Sequence, residues 1–454
     1  MHCKSGFFVH CYILVLALIL NSCSPPVQSP PTIPQKWSSV PFFYQDDAKV
    51  LPELAWWQEF HDPQLDQLMQ EALHHNNDIN IATENLHYAQ TQLKQVQLNW
   101  VPGMSFSAGY SQMPNLGNPG YFWGLFPLYT LNAFQQLKDQ QEATYRVQVQ
   151  QYAKDSIRLT VIGQVAASYF TLLAEKEALS LYQALLSQQE HYLNLRKTQY
   201  KTGIISADLL DKAQQDVQMT QAQMAITQHN IHVAQNALRF LMNQNPLQEG
   251  KAFSSGQFSL INSQTIIPGN YPATVLNNRP DIQQARAGLE AASANINATA
   301  FNLLPSIRLD AWLGDTSAVN GVHLGEAYAS IPLWSPQTFG GIKVSQAQYK
   351  VLYAVYVKTI RQALRDVEND LSAYSAYEQQ LENTKKALLQ KNKRCELAHF
   401  RHQYGIDSGV HVTYCQIQKT QLQLMLSQRK LEKMMTIVAL YQDLAGGYRA
   451  DAEH

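Results

Sequence analysis

The chain has 454 residues, a formal net charge of -1 and only 15% charged side chains, against roughly 25% in an ordinary soluble domain. No basic block stands anywhere in it, which excludes a nucleic-acid-binding surface. Its polar surface must come largely from uncharged groups, as in Asp211 to Gln235, where seven glutamines fall.

The first element is a targeting segment. Lys4 precedes an apolar run from Phe7 to Leu20, broken only by His10. That length suits a secretory signal core and falls short of the roughly 20 residues of a membrane-spanning helix. The run closes in "LILNSC", with Leu20 three residues before Cys23 and Ser22 directly before it. This resembles the lipobox of bacterial lipoproteins, which implies removal of residues 1–22 and a lipid on the Cys23 thiol. Asn21 departs from the usual lipobox, and Ser24 after the cysteine implies sorting to the outer membrane. Residues 23–50 read as a tether, because "SPPVQSPPTIPQK" places five prolines in thirteen residues and such sequence stays extended. Of five cysteines, Cys3 and Cys11 leave with the signal. Cys395 and Cys415 are able to pair in an oxidising compartment, but no dense framework surrounds them, and two buried thiols are the expectation.

The remainder reads as two repeats, 51–250 and 251–454. Asp78, Ile79, Ala82, Leu86 and Ala89 recur as Asp281, Ile282, Ala285, Leu289 and Ala292, at one constant offset of 203. Pro102 and Pro305 share it, and each marks a break from helix to strand. An opening helix is predicted from Pro63 to about Asn99. Strands follow at about 103–131, where "SFSAGYS" alternates Phe106, Ala108 and Tyr110 against serine and glycine. Their counterparts lie at about 306–334, where Ile307, Leu309, Ala311 and Leu313 alternate with Ser306, Arg308 and Asp310. Pro127 and Pro332 weaken the far ends of the second strand of each pair.

Proline-free tracts of 118 residues follow Pro127 and Pro336, rich in good helix formers. In the first, Ile157, Val161, Val165, Ser168 and Leu172 step along one helix face. A helix from Ala133 to Thr202 would be roughly 105 Å long at ~1.5 Å per residue. Its return partner, Ser206 to Met242, covers half of that, so the opening helix must cover the rest. Gly203 makes the first hairpin turn and Ser206 caps the return helix. In the second tract the turn falls around Gly405 and Gly409, with Gly409 the counterpart of Gly203.

Four strands of this length are able to cross a bilayer, but an open sheet in lipid leaves backbone groups unpaired at several kcal/mol each. Neighbouring chains must close it. Eight strands would fill their own interior, whereas twelve, from three chains, leave an aqueous lumen. The fold class expected is therefore mainly α with a small β part.

Several stretches resemble the TolC-like outer-membrane channels, in particular the lipidated OprM-type subunits of resistance–nodulation–division efflux systems. They are "WWQEFHDPQLDQLMQEALHHNND", "LNNRPDIQQARAGLEAASANINATAFNLLPSI", "IPLWSPQTFGGIKVSQAQY", "LRDVENDLSAY" and "ALYQDLAGGY". The resemblance covers nearly the whole mature chain. It implies a homotrimer with a twelve-stranded barrel and a periplasmic helical tube, docked on a periplasmic adaptor (a membrane fusion protein) and an inner-membrane pump. It also implies a periplasmic aperture carrying Asp208, Asp211, Tyr414 and Gln418. Two departures stand out: "LNAFQQLK" replaces the family's Asp-x-x-Gly, and Gln418 stands where an aspartate would fall. With fewer acids, any cation preference is expected to be weaker.

The chain contains no catalytic or phosphate-binding motif, and neither enzymatic activity nor a cofactor is expected apart from the Cys23 lipid. His229 with His232, and His399 with His402, lack the further ligands of a metal site and read as solvated helix residues. Two rival functions remain open: a duct for exported proteins, and a periplasmic coiled-coil adaptor that never spans the membrane.

Overall fold

The computed structural model describes residues 51–111, 120–245, 257–261, 273–316, 321–332 and 334–450. The signal, Cys23, the tether and most of both strand-linking loops lie outside them. Helices α1 (Pro63–His75) and α2 (Asn77–Leu98) precede strands β1 (Gly103–Ser111) and β2 (Gly120–Leu131). Helices α3 (Ala133–Lys201) and α4 (Ala207–Leu241) complete the first repeat. The second runs through α5 (Pro280–Phe301), β3 (Ser306–Thr316), β4 (Val322–Ser330), α6 (Pro336–Gln403) and α7 (Gly409–Asp443). The chain divides into two compact units.

One unit holds Ala82–Lys154 and Asp281–Ile360. Its four strands form one antiparallel sheet in the order β1-β2-β3-β4. The helices before it end at Leu98 and Phe301, and each strand begins directly after its proline, Pro102 or Pro305. Pro127 lies inside β2, where it faces Met104 on β1, while no ladder pair joins Phe126 or Pro127 to β3. This is where a missing N–H is tolerated. β4 stops before Pro332, shorter than the reading to 334. The departure at "LNAFQQLK" resolves at Asn132. Its Oδ1 accepts the Gln135 N–H at 3.2 Å, capping α3, and its Nδ2 donates to Phe301 O at 3.3 Å. Asn295 ties three helices together: it donates to Glu142 at 3.0 Å and accepts from Ser345 at 2.9 Å.

The other unit holds Ile33–Ile81, Asp155–Pro280 and Arg361–His454. Its core joins Trp56, Trp57 and Phe60 to Val161, Val165, Tyr169 and Phe170 of α3, Leu238 of α4 and Tyr441 of α7. Trp56 stacks on Tyr441 with centroids 4.7 Å apart. Of the predicted α3 stripe, Val161, Val165 and Leu172 are buried, while Ser168 is only half-buried. The stretch "HDP" starts α1: Asp62 caps it through the Gln64 N–H at 3.0 Å and accepts the Tyr169 hydroxyl at 2.6 Å.

Three expectations need correction. The opening helix is broken at Asn76, whose Oδ1 accepts from the Asp78 and Ile79 N–H groups at 2.9 and 3.2 Å and so caps a new helix. The second hairpin turns at Gly405, with φ of 74°, whereas Gly409 is the first residue of α7. Cys395 and Cys415 form a disulfide, with Cα atoms 5.5 Å apart, where two thiols were expected.

Candidate functional site: the strand wall and the hairpin tips

Side chains alternate across a strand, so the register sorts the sheet into two faces. Opposed pairs share a face: Phe106 with Leu125, Leu125 with Leu313, and Leu309 with Ala327. That face continues through Met104, Ala108 and Tyr110 on β1, Tyr121, Trp123 and Tyr129 on β2, and Ile307 on β3. It is apolar and solvent-exposed, with Phe106 at 64%, Tyr121 at 73% and Leu313 at 42%. Exposed apolar area on this scale, with aromatics near the strand ends, is the signature of a wall facing lipid.

The opposite face carries Ser105, Ser107 and Gly109 on β1, Thr130 on β2, and Ser306, Arg308 and Asp310 on β3, with Glu326 and Tyr328 on β4. Arg308 binds Asp310 along the strand at 2.8 Å, and Glu326 stands opposite Asp310. Phe122, Phe126, Leu128 and Leu324 share this face, and Trp312 is its largest residue. It is 8% exposed, lies against Phe126 at 6.1 Å, and covers Gly124, where any Cβ would collide with the indole. A glycine is therefore required at 124. β1 and β4 have one partner each, so both outer edges present unpaired backbone groups.

The two hairpins turn by one construction. Gly203 has φ of 73°, and the N–H of Ile204 returns to Gln199 O at 2.9 Å. Gly405 and Ile406 repeat this, with Ile406 bonding to Arg401 O at 2.9 Å. Both are left-handed helix ends followed by an apolar residue. Ser206 and Ser408 follow at equivalent positions. Ser408 accepts the His411 N–H at 3.3 Å, whereas Ser206 makes no side-chain cap.

Of the residues expected at the aperture, Asp208 and Asp211 lie exposed in the first turn and a half of α4. Tyr414 stands 5.8 Å from Tyr192 of α3, whose hydroxyl accepts from Arg196 at 2.6 Å. Gln418 is held by Lys391 of α6 at 2.7 Å, so its amide completes a cross-hairpin bond. The disulfide and this bond together staple α6 to α7, two features beyond the reach of spacing alone.

Two further features escaped sequence reading. Met219, Ile226, Val233 and Phe240 are all more than half exposed and recur every seven residues along α4, beside its buried stripe. The second is a charged cluster behind the "RPD" signature. Arg279 donates to Asp443 O at 2.7 Å and to its Oδ1 at 3.2 Å. Asp370 of α6 sits beside them. Burial, then Asp443 and Asp366, push its carboxyl up to about 7, with Arg279 opposing.

An antiparallel sheet with a lipid face and a polar face, carried on paired long helices, defines a membrane-wall subunit. Comparison with known proteins gives its class. A family model described as outer membrane efflux protein matches residues 68–244 and 271–446, and the chain belongs to that family. The toluene efflux pump outer membrane protein TtgC of Pseudomonas putida is 29% identical over 468 residues, covering 96% of this chain and 95% of that one. The pyoverdine export outer membrane protein OpmQ of Pseudomonas aeruginosa is 26% identical, covering 97% of both. The CmeC outer membrane channel of Campylobacter jejuni superposes with a TM-score of 0.80 at 17% identity, over 95% of this chain and 96% of that one. The open state of the Neisseria gonorrhoeae MtrE channel gives 0.78 at 21%, over 95% and 98%. The fold is thus that of the TolC-like channels. The protein is an outer-membrane channel of efflux pumps, with its helical body in the periplasm.

Proposed function

We propose that three copies of this chain close a twelve-stranded barrel and serve as the passive exit duct for small molecules in a tripartite pump. The observation that carries this reading is the sheet, with one lipid face, one polar face and two unpaired edges. Backbone groups in lipid must be paired within protein, so β1 and β4 require strands from other copies. Twelve strands leave a lumen where eight do not. The apolar stripe of α4 supplies a further seam between copies, and the hairpin tips supply the surface for a periplasmic adaptor and, through it, an inner-membrane pump. The names of relatives, which include toluene, solvent and antibiotic efflux, favour small and largely apolar cargo. Selection among such cargo is left to the pump.

The Cys23 lipid anchors each copy to the same membrane, and no other cofactor is called for. Asp208 and Asp211 supply the acids of the periplasmic aperture beside Tyr414. With Gln418 engaged by Lys391, its cation preference is weak. Light scattering of the detergent-solubilised protein, together with planar-bilayer recording, tests the whole reading. The expected result is the mass of three mature chains and discrete conducting steps; a monomer that leaves the bilayer silent overturns it.

A further inference from the structure

A cavity of about 970 Å³ opens within the helical unit, lined by α3, α6, α7 and the short turn Phe258–Leu260. Cavities of that size accommodate drug-sized molecules. Its charge is unbalanced: Lys176, Lys385 and Lys430 line it against a single carboxylate, Glu177. Glu177 is already engaged, accepting the Ser259 N–H at 2.9 Å. Lys430 is fixed by the carbonyls of Phe258 and Ser259 at 2.6 and 3.0 Å, and lies 5.0 Å from the Phe258 ring centroid.

Burial first, and Lys385 after it, draw the Lys430 ammonium down to about 8, with Glu177 opposing; burial also lowers Lys176. Half-buried Lys430 and the exposed Lys385 beside it repel one another, and an anion placed between them relieves both. A second observation is independent of charge. Ser427 lines the same cavity at 5% exposure, and its hydroxyl has no hydrogen-bond partner. A buried hydroxyl without a partner is costly and invites a ligand acceptor. Leu173 and Leu181 of α3, Leu381 and Leu388 of α6 and Leu426 of α7 give the wall its apolar part.

We propose that this cavity binds an organic anion with an apolar body, its acid group held by Lys385, Lys430 and the Ser427 hydroxyl and its body against the leucines. The site is formed within one unit, by residues of 155–280 and 361–454, and does not depend on the duct reading. The anion has two possible sources, a fatty-acyl chain from lipid or a soluble aromatic acid.

Isothermal titration of the full-length protein, held in an amphipathic polymer, distinguishes them with sodium decanoate and naphthalene-2-sulfonate as probes. Saturable binding of either at one site per chain is expected, and the tighter of the two names the source. Acetate and 2-naphthol each carry half the chemistry and should bind at least about tenfold more weakly. Lys385 makes no hydrogen bond among the described residues, so Lys385→Gln leaves the Phe258 turn in place. It should weaken binding about tenfold, and Ser427→Ala about fivefold, roughly one hydrogen bond. Absence of saturable binding by both anions, or affinity indifferent to Lys385→Gln, overturns the proposal.

Discussion

The assignment of the two sheet faces is open to a direct test at Leu125. This residue lies in the middle of β2, between Phe106 on β1 and Leu313 on β3, and all three point to the apolar side. An arginine on the lipid face near mid-membrane costs about 2–4 kcal/mol per chain. In a closed barrel of three copies, Leu125→Arg therefore costs roughly 6–12 kcal/mol, comparable to the whole stability of an ordinary domain. Ser107 is the control: it stands opposite Gly124, the neighbour of Leu125, and points to the other face. Ser107→Arg meets water in the lumen and should change stability by no more than about 0.5 kcal/mol. The assay is the amount of protein recovered from outer-membrane fractions as a detergent-resistant oligomer, followed by bilayer recording. Loss of the Leu125→Arg oligomer is expected, with Ser107→Arg assembling normally and shifting selectivity towards anions. Failure of Ser107→Arg alone would mean that the faces are reversed, and equal tolerance of both substitutions would mean that neither face meets lipid.

Asp370 gives a pH dependence with a definite sign. Its folded-state pKa of about 7 lies above the ordinary 3.8, so the native state keeps a proton that the unfolded chain releases. Stability is full below about pH 4, falls as pH rises towards 7, and stays low above it. Asp370→Asn should remove that slope; the full shift corresponds to ~4 kcal/mol, and partial exposure cuts it to roughly 1–2 kcal/mol at pH 8. A melting temperature whose gain at pH 8 is no larger than at pH 4 would count against it. Ile226→Glu with Val233→Glu should dissociate the oligomer without unfolding the chain, read as a smaller mass in light scattering with unchanged helical circular dichroism. Cys395→Ser with Cys415→Ser opens a 20-residue crosslinked span worth up to about 3 kcal/mol. Hydrogen exchange should rise between residues 396 and 414 and stay unchanged around Trp56.

Much of this fold is legible in the sequence because the chain punctuates it with proline and glycine. Pro102 and Pro305 cannot continue a helix, and strands begin directly after both. Alternation in "SFSAGYS" survives as the two faces of β1, since a period of two has no other structural reading. The break at Asn76 was harder. "HHNND" sits inside an apolar period that runs straight through it, and only the side chain's local bonds show that the asparagine caps a second helix. The second turn offered two glycines, and the informative cue was the residue after them. Gly405 precedes Ile406 as Gly203 precedes Ile204, and an apolar residue after a left-handed glycine completes the helix end. The disulfide and the Lys391–Gln418 bond depend on distance across a hairpin, which spacing along the chain does not supply. The aperture is the least legible part, because its geometry involves copies of the chain that a single sequence does not position.

Asn76 and Arg279 explain why one helix is encoded twice with a different residue in front of each copy. They are separated by the same 203-residue offset as the prolines, and each directly precedes its helix, α2 or α5. Asn76 donates through Nδ2 to Leu241 O at 2.9 Å, and Arg279 donates to Asp443 O at 2.7 Å. Leu241 and Asp443 are the last residues of α4 and α7, so each side chain fastens the start of one helix to the free carbonyl end of the return helix in its own repeat. A helix terminus leaves such carbonyls without partners, and both repeats solve that problem at one place. The neutral amide does so without consequence. The guanidinium brings a charge into a half-buried site and therefore needs carboxylates, which Asp443 supplies and Asp370 crowds. Burial and the neighbouring carboxylates of Asp443 and Asp366 raise Asp370, and the Arg279 guanidinium, for which the first repeat uses asparagine, opposes them. It follows that the Asp370 contribution to the pH response has no counterpart at Asn76 in the first repeat.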